Sequence, residues 1–223
     1  MEIKNQYNQI GKNYISGQKD FFSKREGAAH NFLRSCLPDL NGKIVLDLGC
    51  GNGPDIQKIE ELNPKEVWGI DISEVMVNEA KKIVKNPERI VLGDFSNNSF
   101  QDHFFDIIIG RFSLHYFNNF DKAYIELSRI LKKGGQLILV VHHPLRDLHS
   151  QKNKRYGHQE IIKIELYNNK VPIYFPTHTF GEYFSKTFFD NFIIVNFKEE
   201  ESPEEYVDIY GTPGWFGFKA IKK

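Results

Sequence analysis

Short apolar runs alternate with helical stretches between residues 43 and 143 of the chain. Each run has apolar residues at nearly every position, which is typical of strands that are buried on both faces of a parallel sheet. The predicted strands are Lys43–Leu48, Glu66–Ile72, Arg89–Gly93, Phe105–Gly110 and Gln136–Val141. This pattern predicts a doubly wound, Rossmann-like α/β fold in which helices connect the strands.

The segments between these strands have the hydrophobic periodicity of helices. Helices are predicted over Ile56–Leu62, over residues 73–85 with Ser73 as the N-cap, and over Asp121–Leu131. Gly134–Gly135 follows the last of these helices, and we interpret it as the signal that ends the helix. These helices supply the crossover connections that neighbouring parallel strands require.

The alternation stops on both sides of residues 43–143, which we expect to form the cofactor-binding core of one domain over 1–223. Residues 1–42 are predicted to form one or two helices that cap the core. Residues 144–176 are predicted to form an insertion that covers the active-site end of the sheet as a lid. The remainder, 177–223, is expected to add a helix and two strands.

A hairpin is predicted inside the insertion. Its strands are Ile161–Tyr167 and Val171–Phe175, and its turn lies at Asn168–Asn169. The predicted elements after it are a helix over Phe180–Phe189 and strands at Phe192–Phe197 and Phe216–Ile221.

Composition narrows the class of protein. Lys and Arg number 29, as do Asp and Glu, so the formal net charge is zero and no global field attracts a nucleic-acid backbone or an anionic membrane. No apolar stretch approaches the ~20 residues that span a bilayer, and the N-terminus lacks the apolar region of a secretion signal. Cys36 and Cys50 form neither a disulfide framework nor a zinc site. We therefore expect a cytoplasmic protein that binds no nucleic acid, no membrane and no metal.

A glycine-rich loop, Gly49–Gly53, follows the first strand. Alternate glycines directly after a buried strand let the backbone turn tightly and approach a ligand without Cβ clashes. Asp47 ends that strand, and its charge suits a ligand with an ammonium group better than it suits a pyrophosphate. A dinucleotide-binding loop would also have a third Gly or Ala three positions after its second Gly, where this chain has Pro54.

Further polar segments follow the later strands. Asp71 ends the second strand, where a carboxylate can accept hydrogen bonds from both hydroxyls of an adenosine ribose. Asp94 and Phe95 follow the third strand, where the carboxylate can accept from an adenine amino group and the ring can pack on the base. The segment Arg111–Tyr116 follows the fourth strand. Because ligands of this architecture bind at the carboxyl ends of parallel strands, these segments together predict a nucleoside-binding site.

These motifs resemble the class I S-adenosylmethionine-dependent methyltransferases, particularly the group that includes ubiquinone-biosynthesis enzymes. The resemblance rests on VLDLGCGNG, on Asp71 and Asp94, on FDIIIGRFSLHYF and on LKKGGQLIL, and it covers about residues 40–142. It implies a seven-stranded, mostly parallel sheet whose last strand is antiparallel. It also implies that S-adenosylmethionine is the cofactor.

The resemblance places Gly49 and Gly51 against the methionine part of the cofactor and lets Tyr7 and Tyr14 close over it. Together with the residue chemistry, it assigns a set of cofactor contacts. These are Tyr14, Asp47, Gly49, Cys50, Gly51, Asp71, Ile72, Met76, Asp94, Phe95 and Arg111.

Methyl transfer from a sulfonium is an in-line displacement whose leaving group departs neutral, so alignment in a dry pocket lowers much of the barrier. A general base is needed only where the acceptor loses a proton. His115, His142 and His143 are the candidates, because a neutral imidazole accepts a proton near physiological pH. His142 and His143 face opposite ways in a strand, and we favour His143 because Pro144 begins the predicted lid.

The acceptor is expected to be a small molecule. Enzymes that methylate the amino groups of nucleic-acid bases carry an Asn/Asp-Pro-Pro-aromatic motif, and this chain has Gly110–Ser113 at that place. Methyl transfer to a small molecule is therefore the favoured function. The alternatives are a non-catalytic module that binds a cofactor or a partner and, less favoured because of Pro54, a nicotinamide-dependent oxidoreductase.

Overall fold

Seven strands form the central sheet of the computed structural model, which describes residues 3–22, 27–167, 171–200 and 211–223. In chain order, the strands of the central sheet and of a separate hairpin are β1 (Ile44–Leu48), β2 (Glu66–Asp71), β3 (Ile90–Leu92), β4 (Phe105–Arg111), β5 (Leu131–His142), β6 (Ile161–Leu166), β7 (Val171–Pro176), β8 (Phe192–Glu199) and β9 (Trp215–Lys222). The central sheet has the order β3-β2-β1-β4-β5-β9-β8, and β6 pairs only with β7. Only β9 runs antiparallel to its neighbours in the central sheet, which confirms the predicted fold.

Helices flank the sheet and cap one end of it. They are α1 (Ile3–Phe22), α2 (Ala28–Cys36), α3 (Pro54–Glu60), α4 (Glu74–Ala80), α5 (Phe120–Ile130), α6 (Pro144–Ser150), α7 (Phe180–Tyr183) and α8 (Lys186–Asn191). None of the helices in the described ranges combines the length and the apolar character that crossing a bilayer requires.

Alternate residues of the central strands feed two hydrophobic cores, one on each face of the sheet. Leu46 of β1 belongs to the core that includes residues of α5 and α8, and Val45 belongs to the core that includes residues of α2, α3 and α4. In β4, Ile108 and Ile109 divide between the two cores in the same way. This alternation explains why the strands are apolar at nearly every position: each face is covered by helices.

Gly134 and Gly135 lie inside β5 and do not end a helix, contrary to the prediction. α5 stops at Ile130, and Leu131 leaves it in an extended conformation directly into β5. Gly134 has a φ of 72° inside β5, where the register with β4 shifts between Phe105 and Ile107. The positive φ therefore serves a strand irregularity, a role that glycine fills as readily as a helix C-cap.

Other predicted elements differ in extent. The predicted helix over Phe180–Phe189 is two short helices, because the Ser185 side chain accepts a hydrogen bond from the Phe188 amide and caps a new helix, α8. The predicted helix over 73–85 ends at Ala80. The predicted lid contains α6 in addition to the hairpin, and the predicted turn at Asn168–Asn169 lies outside the described residues.

A close contact between α2 and β9 depends on Gly217. A Cβ atom at Gly217 would clash with the ring of Phe32, which is buried and also packs on Trp215 with ring centroids 6.0 Å apart. The absence of a side chain at this strand position therefore lets α2 approach the sheet.

We expect Gly217→Ala to lower the free energy of unfolding by about 1–3 kcal/mol, because the Phe32 ring must move away from its packed position. Denaturant titration measures this loss. Gly181→Ala is the matched control, since the nearest atom to a Cβ there is Thr179 Oγ1 at 3.7 Å, and its stability should not fall. Equal losses in the two variants would contradict the steric explanation.

Candidate active site

A cavity of about 360 Å³ lies at the carboxyl ends of β1, β2, β3 and β4. Residues that end or follow these strands line it, together with tyrosines of α1. All the predicted cofactor contacts except Asp47 and Cys50 are among the lining residues, which include Tyr14, Gly49, Gly51, Asp71, Ile72, Met76, Asp94, Phe95 and Arg111. The structure therefore brings together side chains that are up to 97 residues apart, from Tyr14 to Arg111.

The glycine loop is held against the end of β2. The amides of Gly49 and Cys50 donate hydrogen bonds to the carbonyl of Ile70 at 2.8 and 3.1 Å. Gly49 has a φ of 67° and Gly51 a φ of 53°, in the left-handed region that glycine adopts without strain. A Cβ at Gly49 would lie 2.5 Å from that of Ser113, whereas a Cβ at Gly51 would meet no described atom within 4 Å. Gly51 therefore leaves open space on the cavity side of the loop.

Asp71 is oriented by two backbone amides. Its Oδ2 accepts from the Gly51 amide at 2.8 Å, and its Oδ1 accepts from the Ser73 amide at 2.8 Å. Burial raises the pKa of Asp71 above its usual value, although both amides favour the charged form and oppose the rise. The carboxylate is thus fixed at the cavity wall, and each oxygen has a further lone pair for a ligand.

Asp94 and Phe95 form the next part of the wall. Oδ1 of Asp94 accepts from both the amide and the hydroxyl of Ser96 at 2.8 Å. Since both bonds use Oδ1, Oδ2 of the same carboxylate can accept from a ligand. Phe95 is buried and packs edge-on against Phe117, with centroids 6.0 Å apart. Its flat ring is therefore held in place where it lines the cavity.

Asp47 and Cys50 lie outside the cavity lining, contrary to what the sequence led us to expect. Asp47 is buried, and desolvation together with the neighbouring Asp55 carboxylate raises its pKa well above the usual range. Cys50 packs instead against β2, where a Cβ at Gly69 would lie 2.8 Å from its Sγ. Asp47 lies within β1, opposite Gly69 of β2 and Ile109 of β4, a position that a sequence motif does not distinguish from ligand contact.

Arg111 lines the cavity but is engaged in an ion pair. Its Nε donates to Oδ2 of Asp55 at 2.8 Å, and Oδ1 of Asp55 lies 3.0 Å from Nδ1 of His30. Burial alone would raise the pKa of Asp55, but His30 and Arg111 outweigh it and the pKa is lowered. Arg111 therefore ties the end of β4 to α3.

Two tyrosines of α1 cover the cavity. The hydroxyls of Tyr7 and Tyr116 lie 2.5 Å apart, and the ring of Tyr14 stands edge-on to that of Tyr7 at 5.5 Å. All three tyrosines line the cavity. They give it an apolar, aromatic wall with polar hydroxyls.

Hydrogen bonds from polar residues of α1 hold this cover in place. Oδ1 of Asn8 accepts from the Ser73 hydroxyl at 2.8 Å, at the start of α4. Oε1 of Gln6 accepts from the Tyr174 amide of β7 at 2.8 Å. α1 therefore bridges the cofactor-binding core and the hairpin.

The two predicted catalytic histidines lie behind the cavity wall. His143 is fully buried and does not line the cavity: Nε2 lies 2.9 Å from Oε1 of Glu199, and Nδ1 accepts from the Leu145 amide as the N-cap of α6. Both ring nitrogens of His143 are therefore engaged in structural contacts, and the position of this residue does not support the predicted role as a base. His115 is also buried and does not line the cavity, but its ring lies 4.3 Å from that of Tyr116, which does.

Sequence reasoning missed part of the wall. Asn118, Asn119 and Lys122 line the cavity from the loop before α5 and from its first turn. Asn119 is the N-cap of α5 and accepts from the Lys122 amide at 2.9 Å. An Asn directly before a helix is a readable cap signal, but it does not reveal that the helix begins beside a ligand site.

Within the part of the chain that the structure describes, no group of three or more His, Cys, Asp or Glu side chains is placed to hold a metal ion.

Known proteins are similar in sequence to the core of this chain. Residues 46–139 match the family described as methyltransferase domain. An uncharacterized protein of Haemophilus influenzae is 33% identical over 131 residues, 53% of this chain and 50% of that protein. A demethylmenaquinone methyltransferase of Bacteroides fragilis is 35% identical over 118 residues, 50% of this chain and 46% of that enzyme. The chain thus spans about half the length of the curated relatives it matches.

Structural likeness extends further along the chain. A crystal structure from Listeria monocytogenes, assigned to the S-adenosylmethionine-dependent methyltransferases, is 25% identical and has a TM-score of 0.72. The match covers 87% of this chain and 98% of that one. This likeness agrees with the resemblance that the core motifs predicted. Residues 46–139 carry a methyltransferase domain, and the chain shares its fold and core motifs with S-adenosylmethionine-dependent methyltransferases.

Proposed function

We propose that the chain transfers a methyl group from S-adenosylmethionine to a small-molecule acceptor by in-line displacement. One observation carries the proposal: the cavity gathers two oriented carboxylates, Asp71 and Asp94, with an open glycine loop under an aromatic cover. Fold alone does not specify function, so the proposal rests on these side chains.

The residues of the cavity fit the parts of the cofactor. Asp71 suits the ribose hydroxyls, and Asp94 with Phe95 suits the adenine. The open space beside Gly51 admits the methionine part close to the backbone. Ser113 also lines the cavity, and its buried hydroxyl has no hydrogen-bond partner among the described residues, so it is available to a polar group of the ligand.

Positioning is the main contribution of this chain to the reaction. Bound S-adenosylmethionine would supply an electrophilic methyl group on a positively charged sulfur that departs neutral. The strand-end carboxylates orient the ligand, and Tyr7, Tyr14 and Tyr116 exclude water from the cavity. Alignment in a dry site lowers the barrier of such a displacement without protonation of the leaving group.

An apolar or aromatic acceptor suits the cover of the cavity. Phe112 lines it together with the three tyrosines, and aromatic rings bind flat organic molecules well. The name of the Bacteroides relative supports a small-molecule acceptor. The zero net charge supports the absence of a nucleic-acid partner. The free, buried Cys36 and Cys50 suit the reducing cytoplasm, where we place the enzyme.

A nicotinamide dinucleotide fits the loop less well. Pro54 is the first residue of α3 and has no amide to donate to a pyrophosphate. Asp55 adds a negative charge in the same helical turn. These residues disfavour a diphosphate at the position where a dinucleotide-binding helix would hold one.

We expect Asp71→Asn to weaken the binding of S-adenosylhomocysteine by about 10- to 100-fold, because the ribose hydroxyls lose a charged acceptor. Isothermal titration calorimetry on the folded variant measures the loss.

Asp39→Asn is the matched control, since Asp39 also accepts the amide two residues later, from Asn41 at 3.0 Å, but does not line the cavity. Its affinity should equal that of the wild type. Unchanged affinity in Asp71→Asn would remove Asp71 from the site. Tight binding of NADH by the wild type, without binding of S-adenosylhomocysteine, would favour the oxidoreductase alternative instead.

The affinity for S-adenosylhomocysteine should also decrease as the pH is lowered. This decrease should begin at a pH above the usual titration range of aspartate. Burial raises the pKa of Asp71, so its carboxylate becomes protonated earlier on acidification and loses acceptor strength for the ribose. Folding responds with the opposite sign: a raised carboxyl pKa opposes folding near neutral pH, and this cost is relieved as the pH falls. Titrations from about pH 4 to about pH 8 test this, and the fall attributable to Asp71 should be absent in Asp71→Asn. A pH dependence identical in both proteins would contradict the assignment.

A further inference from the structure

Buried ionisable side chains lie behind the aromatic wall of the cavity. His115 and Asp147 are each 1% exposed, and the side chain of His142 is 14% exposed. Within the described residues, no hydrogen-bond partner is present for either ring nitrogen of His115, for Nδ1 of His142 or for either carboxylate oxygen of Asp147. Unpaired polar groups are costly in a protein interior, so packing alone gives no reason for this cluster.

The three side chains form a chain that leads away from the cavity. The ring of His115 lies 4.3 Å from that of Tyr116, a cavity residue, and 4.6 Å from that of His142. Nδ1 of His142 in turn lies 3.5 Å from Oδ1 of Asp147 on α6. His115 therefore stands in ring contact between a residue of the cavity wall and a histidine beside a buried carboxylate, and a rotation of its unpaired ring would be needed to hand a proton to His142.

Two phenylalanines separate this chain from its surroundings. Phe112 lines the cavity, and its ring centroid is 5.4 Å from that of His142 and 6.5 Å from that of His115. Its φ of 57° is rare for a bulky side chain, and such conformations gather at functional sites. Phe175 of β7 covers the other side, 4.8 Å from the His115 ring. A small displacement of the Phe112 ring would join the cluster to the cavity.

Other titratable groups face the cluster from neighbouring elements. Nε2 of His178 lies 2.9 Å from the carbonyl oxygen of His115, and its Nδ1 lies 3.6 Å from Oε1 of Glu182. The buried hydroxyl of Tyr183 also faces this region. Burial, with the nearby His142 and His178, lowers the pKa of His115 well below its usual value. A neutral His115 has a lone pair to accept a proton but does not retain it, so a partner must receive the charge.

We propose that His115, His142 and Asp147 relay the proton that the methyl acceptor releases, and that this site takes acceptors with an ionisable hydroxyl or amine. The inference rests on the proposed methyl transfer. The acceptor's O–H or N–H bond breaks, and its proton passes to a ring nitrogen of His115 and on to His142. The freed electron pair bonds the methyl carbon, while the carbon–sulfur bond breaks and leaves its electrons on sulfur. His142 and Asp147 act through His115 and are positioning residues, and the carboxylate stabilises the charged imidazole.

The pH profile of methyl transfer tests this relay. Labelled S-adenosylmethionine and the small-molecule fraction of a cell extract from the source organism serve as the probe, since the extract supplies the acceptor without its being identified. In the wild type, the rate should fall on acidification as the relay becomes protonated. Asp147→Asn should lower the turnover rate about one hundredfold and change the pH profile of the rate, because the relayed proton loses its final acceptor.

Asp147→Asn keeps the shape of the side chain and removes a buried charge, so we expect the variant to fold. His142→Gln provides a second variant, in which the same loss of rate is expected. His143→Gln is the matched control, because the Gln amide can still donate to Glu199 and His143 lies outside the relay, and it should keep the wild-type rate and profile. Binding of S-adenosylhomocysteine should be unchanged in all three variants, which separates the relay from the cofactor site.

The outcomes distinguish the relay from the function on which it rests. Methyl transfer by Asp147→Asn and His142→Gln with the wild-type rate and pH profile would overturn the relay and leave the proposed function standing. A wild type that binds S-adenosylhomocysteine but labels no molecule of the extract would overturn the proposed function, and the relay would fall with it.

Discussion

Hydrogen bonds from the glycine loop to the end of β2 fix the geometry on which the cavity depends. The amides of Gly49 and Cys50 share the carbonyl of Ile70, and the amide of Gly51 donates to Asp71. These bonds require positive φ angles at both glycines, which a larger residue adopts only with strain. The same contacts orient the carboxylate that we assign to the ribose. The same loop conformation therefore shapes the cavity and orients one of the carboxylates that line it.

The cover of the cavity depends instead on contacts between distant parts of the chain. Gln6 of α1 pairs with the backbone of Tyr174, 168 residues later, and Tyr7 pairs with Tyr116. A Cβ at Gly17 would lie 2.6 Å from the ring of Tyr167, so α1 also packs closely on the hairpin. These contacts join α1 to the hairpin of the predicted lid, although no described residue of 144–176 lines the cavity itself. A substitution in either segment therefore alters the packing of the other.

Local patterns explain which features the sequence predicts well. The strands are continuous apolar runs with polar residues at their carboxyl ends, so position alone places Asp71 and Asp94 at the edge of the sheet where the cavity lies. Features that depend on packing were not found: Gly134 has a positive φ in a strand irregularity and not at a helix end, and Ser185 divides a predicted helix because it caps a new one. Asp47 carries the motif chemistry but is buried behind the loop. Residue type indicates which conformation or bond is possible, and tertiary contacts decide which one is formed.

The adjacent residues His142 and His143 have different surroundings because α6 begins directly after them. Residues next to each other at a strand end face opposite sides, so the sequence allows only one of them near the acceptor. Pro144 starts α6 at once, and this makes His143 the cap of that helix, with its ring bound to the Leu145 amide. His142 is left beside Asp147, where apolar side chains of similar volume would often give an equally stable or more stable interior. A buried carboxylate next to two imidazole rings that lie 4.6 Å apart and are tilted by 58° is therefore better explained by the movement of a proton than by folding.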